Sequence, residues 1–295
     1  MPKIVIAGAS GLIGRTLAGA LEADGVEVVR LVRRPPRAPG EVRWLDEAAL
    51  APEVLSGATA VVNLNGASIG RLPWGARYRE ELVRSRLRPT RTLAEALAHL
   101  GADAPPLISA SAVGFYGDRP GEQLDETSGP GRTFLAELCV RWEQEALAAA
   151  EVTRVALLRT APVLHPRAVL RPMIALTRLG LGGPLGRGTQ HWPWISLTDE
   201  VRAIRHVIDS DLHGPVNLTG PLTATARDIG YALARRLHRP FLLPAPAWAL
   251  RLALSRAAAD SLLLSDAAVT PDVLLASGFT FEHRTVDAAL DSVIG

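Results

Sequence analysis

Apolar and polar positions along the chain fall into short apolar runs separated by stretches with helical spacing. Residues 3–7 (KIVIA) make the first run, GASGLIG follows at once, and residues 15–23 gather their apolar side chains on one helical face. Residues 26–32 read as a second buried strand, stopped by Arg33, Arg34 and two prolines. A strand–turn–helix–strand unit of about 30 residues is the smallest piece of a doubly wound sheet. The alternation continues with a strand at 58–64, a helix at 74–100 that Pro89 should kink or split, and a strand at 106–110. A helix at 132–150 and a strand at 152–159 follow. The pattern predicts an α/β fold with a doubly wound parallel sheet covered on both faces.

After Arg159 the pattern loosens. The stretch LGLGGPLGRGTQHWPWISLTDE is Gly-rich and reads as a loop that closes over something before the chain returns to the sheet. A helix is expected at 198–208, with Thr198 or Asp199 near its N-cap, then a strand at 215–218 and a helix at 226–237. Short helices alternate with prolines from Pro244 onward. The expected organisation is a Rossmann domain over 1–164, its sheet completed by 193–218. Residues 165–192 and 219–295 form a smaller, mostly helical C-terminal substrate lobe.

Composition narrows the function classes. Hydrophobic residues at 48% and charged residues at 21% suit a globular chain of 295 residues. No apolar run reaches the roughly 20 residues that span a bilayer. The first strand starts too early to leave room for a targeting peptide, so a cytoplasmic location and no membrane partner are expected. The single cysteine, Cys139, excludes an internal disulfide, and the seven histidines lack ligand spacing, so no metal is expected. A net charge of +2 without a basic, aromatic-interleaved stripe argues against nucleic acid. Lys3 is the only lysine, which removes lysine-dependent chemistry by counting.

GASGLIG places Gly8, Gly11 and Gly14 as GxxGxxG between a strand and a helix. Glycines there let the backbone reach a pyrophosphate, and the free amides of the helix start, around Ser10, Leu12 and Ile13, hold the anion. The competing reading is a tight turn that only packs helix on strand; the position directly after the first strand favours the dinucleotide. The second strand ends Leu31-Val32-Arg33-Arg34, with no acid for a ribose hydroxyl. Two guanidiniums there suit a 2′-phosphate, which favours NADP(H) while leaving NAD(H) open.

The ordered series GASGLIG, VVNLNGASI, Trp74 followed by RSRLRPT, SASAVGFYG, Trp142-Glu143, LRTAPVL, the Gly-rich loop and VTPDVLLASGFTFEH runs nearly end to end. It resembles the short-chain dehydrogenase/reductase superfamily, and within it the atypical epimerase-like family of the YfcH type, an NAD-dependent epimerase/dehydratase-like group with its own C-terminal domain. The resemblance implies that Leu64, Asn65 and Gly66 approach the cofactor ribose and phosphates. It also implies that Glu81 and Arg86 face the cofactor and that Pro162 and Val163 lie beside the nicotinamide. Ala161 and Ser196 depart from the glycine and histidine usual in the family.

The superfamily's mechanism uses a Tyr–Lys pair and an upstream serine. Ser111 matches the serine, but Leu135 and Cys139 occupy the positions of the pair. Ser111 can polarise a carbonyl or serve only as a strand-end serine. Cys139 is a candidate proton donor or a small buried hydrophobe. Tyr116 reads as a structural aromatic beside a turn glycine, and Arg86 as an oxyanion stabiliser or phosphate clamp. Gln190 and His191 are candidate substrate contacts from the loop, and Trp192 and Trp194 either line a pocket or anchor it. Two functions fit: an NADP(H)-dependent oxidoreductase or epimerase-like enzyme acting on a small carbonyl or alcohol, or a non-catalytic NADP(H)-binding redox sensor that regulates a partner. Monomer and homodimer are both compatible with the sequence.

Overall fold

A computed structural model describes residues 1–46 and 49–294. The chain opens with β1 (Lys3–Ala7), α1 (Leu12–Ala23), β2 (Glu27–Val32) and β3 (Glu41–Arg43). It continues through β4 (Ala60–Asn63), α2 (Ala76–Leu100), β5 (Leu107–Ala112), the short β6 (Gln123–Leu124), α3 (Phe134–Leu147) and β7 (Val155–Thr160). Then come β8 (Val163–Leu164), α4 (Leu170–Arg178), β9 (Ile195–Ser196), α5 (Leu197–Ile208) and β10 (Gly214–Leu218). The remainder is α6 (Ala226–Arg236), α7 (Ala247–Leu254), α8 (Arg256–Leu262), β11 (Ala268–Val269), α9 (Asp272–Ala276) and α10 (Val286–Asp291).

Seven strands form one parallel sheet in the order β10-β7-β5-β4-β1-β2-β3. Successive residues of the central strands feed opposite layers. Ile4, Ile6, Ala60 and Val62 pack with Leu17 and Leu21 of α1 and Ile204 of α5. Val5, Ala7 and Val61 pack with Leu93 and Leu97 of α2 and Ala146 of α3. Burial on both faces explains why these strands read as continuous apolar runs. The strand order reverses between β1 and β4, so their carboxyl ends open a crevice, the usual ligand position in an open α/β sheet.

Three local expectations change. Pro89 does not split α2: the helix runs unbroken, and the Thr90 hydroxyl donates back to the Arg86 carbonyl in the disturbed turn. The N-cap of α5 is Ser196, whose hydroxyl accepts from the Asp199 amide, ahead of the two positions expected. The short β3 was not foreseen, because three residues carry no usable periodicity.

Beyond β10, α6 and α10 share an apolar cluster with α4, Trp192 and Trp194. Asp199 ties this region to the sheet by accepting the amides of Glu282 and His283. Among the described residues, no helix is long and apolar enough to cross a membrane.

Candidate functional site: a dinucleotide crevice beside a buried ion-pair network

The glycine turn is built by steric exclusion. Gly8 has φ +91° and lies so near the end of β4 that a Cβ would stand 2.6 Å from the Leu64 carbonyl oxygen. A Cβ on Gly14 would meet the Gly8 carbonyl oxygen at 2.4 Å, so α1 can press on the turn only through glycine. Gly11 is the N-cap, with no side chain covering the helix start. The amides of Leu12, Ile13 and Gly14 therefore face the crevice mouth without a helical acceptor, a cradle for an anion. Ser10 lies exposed on the same turn, its carbonyl accepting from Arg15.

At the end of β2 the two arginines part company. Arg34 makes a bidentate pair with Glu41 of β3, at 2.8 and 2.6 Å, which holds the Glu41 carboxyl down at about 2. Its fork is filled, which corrects the expectation of two available guanidiniums. Arg33 is exposed beside half-buried Val32 and, among the described residues, makes no ion pair.

The loop after β4 is held by Asn63, which the sequence reading passed over. Fully buried, it donates to Thr90 and Ser109 at 2.8 and 3.1 Å and accepts from the Asn65 side chain at 2.9 Å. This fixes Leu64, Asn65 and Gly66 at the crevice. Arg86 closes on the loop from α2: its guanidinium donates to the Leu82 and Ala67 carbonyls and lies against Gly66 and the Trp142 ring. Among the described residues no carboxylate pairs with it, and burial pushes its pKa down. Glu81 does not share that face. It pairs with Arg84 at 2.6 Å, and residues five apart on a helix point about 140° apart, so the expectation that both face one ligand is corrected.

Ser111, at the end of β5, sits in a buried polar chain. Its hydroxyl donates to Glu143 Oε1 at 2.6 Å. Arg159 grips the same carboxylate from β7 through Nε and Nη2 at 2.9 and 3.0 Å. Arg159 also donates to the Tyr116 hydroxyl, which donates to Asn217 of β10 at 2.7 Å. Asn217 in turn donates to the Thr270 carbonyl, so the chain reaches from β5 into the C-terminal segment. Because Ser111 has one proton and gives it to Glu143, it cannot simultaneously donate to a substrate carbonyl. Tyr116 is fully buried, and burial pushes its phenol up to about 12, in keeping with a structural part. Cys139 touches Ser111, but burial and then the Glu143 charge push its thiol up to about 12. A buried thiol held so firmly protonated favours the second of its two expected roles, a small buried hydrophobe.

Beyond β7, Pro162 is exposed at the sheet's carboxyl edge and Val163 is buried in β8 against Ile195. The Gly-rich loop is pinned to the C-terminal segment. Gln190 is buried, its amide donating to the Leu185 and Leu263 carbonyls. Trp194 is buried with its indole donating to the Leu222 carbonyl and its ring pressed on Gly220. Both side chains anchor the loop, the second of the two roles expected for Trp194. His191 is partly exposed, its Nδ1 3.0 Å from Asp266.

A further acid completes the region. Glu200, in the first turn of α5, is fully buried, accepts from the Thr160 hydroxyl at 2.9 Å and leaves Oε2 without a partner. Burial raises its pKa to about 8.

Comparison with known proteins places this geometry. Residues 4–218 match the NAD dependent epimerase/dehydratase family, and residues 245–293 match a domain of unknown function, DUF1731. The chain is 42% identical to epimerase family protein Mb2239 of Mycobacterium bovis, over 97% of this chain and 96% of that one. It is 30% identical to epimerase family protein SDR39U1 of Homo sapiens over 99% of both. The crystal structure of human SDR39U1 (isoform 2) with NADPH superposes with a TM-score of 0.90 at 28% identity, covering 99% of each chain.

Proposed function

The chain belongs to the NAD dependent epimerase/dehydratase family, and from that premise we propose that it is an NADP(H)-dependent oxidoreductase or epimerase-like enzyme acting on a small carbonyl or alcohol. The observation that carries this reading is the glycine cradle. Gly8 and Gly14 let the turn close on β4 and α1 where any side chain would clash with backbone, and so hold the uncapped amides of α1 at the strand-order reversal. Gly8, Ser10, Gly11, Leu12, Ile13 and Gly14 hold the diphosphate; Leu64, Asn65 and Gly66 line the ribose side, and Pro162 and Val163 the nicotinamide end. Arg33, beside Val32, takes the 2′-phosphate. The absence of an acid at the end of β2 and the NADPH in the human relative's structure support NADP(H) over NAD(H).

When bound, the nicotinamide supplies or accepts a hydride. The protein's own part is the proton. With its hydrogen given to Glu143, Ser111 presents lone pairs that accept from a substrate hydroxyl. As that hydroxyl is oxidised, its proton passes to Ser111 while the Ser111 proton moves to Glu143. Reduction runs the same path backwards. The Arg159 pair holds the carboxylate in line, and the buried Arg86 offers a desolvated cation to the developing oxyanion. This set stands where Tyr and Lys are missing.

The test is transfer of deuterium from C4-labelled NADPH to a panel of aldehydes, ketones and sugar nucleotides. Transfer is expected, falling by about a hundredfold or more in Ser111→Ala and Glu143→Gln. The missing Tyr–Lys pair and the inert Cys139 favour one alternative, a redox sensor that binds NADP(H) without turnover. Tight NADPH binding with no transfer to any of the panel would select it.

A further inference from the structure

Two stretches of the chain, residues 152–198 and 229–259, contain no Asp or Glu, although acids are spread through the rest. The structure lays them side by side. The Leu242 and Leu243 amides both donate to the Gly182 carbonyl, Ala245 donates to the Pro184 carbonyl and accepts from Gly186, and the Phe241 ring packs on Gly230 of α6. Large apolar side chains of these two stretches are exposed: Leu179 is 74% exposed, Leu242 75%, Trp248 69% and Leu252 81%, with Leu181 and Leu243 about half exposed. Helix α7, AWALRLAL, has no buried residue. Arg171, Arg178 and Arg239 are exposed in the same two stretches and, among the described residues, make no ion pair. Arg251 and Arg256 are matched by Asp260 at the edge.

We propose that this face docks on an anionic phospholipid surface, with Trp248, Leu252, Leu242 and Leu179 entering the headgroup boundary and Arg171, Arg178 and Arg239 meeting phosphates. An apolar helix with an exposed tryptophan, near arginines that outnumber the Asp228 and Asp260 at its margin, has the composition of an interfacial element. The charge complements anionic headgroups. A second copy of the same face would bring its arginines against these, which opposes self-pairing. The length criterion that excludes a spanning helix does not bear on contact with a bilayer surface.

The intact protein carries its own probe. Of six tryptophans, Trp248 alone is exposed; Trp44, Trp74, Trp142, Trp192 and Trp194 are buried. Sedimentation with phosphatidylcholine vesicles, with and without phosphatidylglycerol, should show about a hundredfold tighter partitioning with the anionic lipid, three guanidiniums contributing about fivefold each. Brominated acyl chains should quench the emission of bound protein, and Trp248→Phe should abolish that quenching. Trp248→Ala with Leu252→Ser, both at exposed positions, should return partitioning to the phosphatidylcholine value. Equal partitioning to both vesicle types, or quenching that survives Trp248→Phe, overturns the proposal. So does self-association that shields Trp248, which would assign the face to a second copy.

Discussion

Replacing Glu200 with Gln should stabilise the protein, and the gain should grow with pH. The carboxyl is fully buried, has one hydrogen bond, from Thr160, and leaves its other oxygen without a partner. Its pKa is raised from 4.5 to about 8 by burial, opposed only by that bond. In the unfolded chain the group ionises near its ordinary value. Between these limits the unfolded state gives up a proton that the folded state keeps, so the stability contribution is complete below pH 4.5 and drains away as pH rises toward 8. The slope is about 1.4 kcal/mol per pH unit, so by pH 7 the wild type has lost about 3 kcal/mol relative to acid conditions. Glutamine keeps an acceptor for Thr160 and cannot ionise. Urea unfolding of both proteins at a series of pH values from 5 to 8 isolates the effect, because the other titrations cancel in the difference. That difference should widen by about 3 kcal/mol across the series. A constant difference, or one that shrinks with pH, refutes a neutral buried Glu200.

Gly8→Ala should lower stability by about 2 kcal/mol or more and abolish NADPH binding, since the new methyl meets the Leu64 carbonyl at a positive φ; differential scanning calorimetry and nucleotide titration read the two effects. Cys139 should resist thiol reagents at pH 8 in the folded protein and react fully in denaturant, because it is buried and its thiol is pushed up to about 12. Rapid labelling of the native protein would contradict that placement.

What the sequence made legible was local. A glycine that must sit against a neighbouring strand end announces itself beside an apolar run, and Gly8, Gly11 and Gly14 needed nothing distant to be read. The free amides follow from the same few residues. Arg34 was misjudged because its partner, Glu41, lies on a strand too short to show periodicity. Glu81 and Arg86 could have been separated by counting turns along α2. Gln190 and Trp194 depended on segments far along the chain, Leu263 and Leu222, whose return to the loop no local pattern encodes. Glu143 and Arg159 did leave a signal: a charged residue inside the apolar strand VALLRT requires a partner, and an acid on the buried face of α3 supplies one. Their union, which draws in Ser111, is a tertiary fact.

Isothermal titration of NADPH and NADH into wild type and Arg33→Ala addresses both the diphosphate cradle and Arg33, which among the described residues makes no ion pair. Wild type should bind NADPH more tightly than NADH, and the variant should lose about tenfold to a hundredfold for NADPH while its NADH affinity is unchanged. No heat with either nucleotide would contradict the cradle, and equal weakening of both would contradict the role given to Arg33.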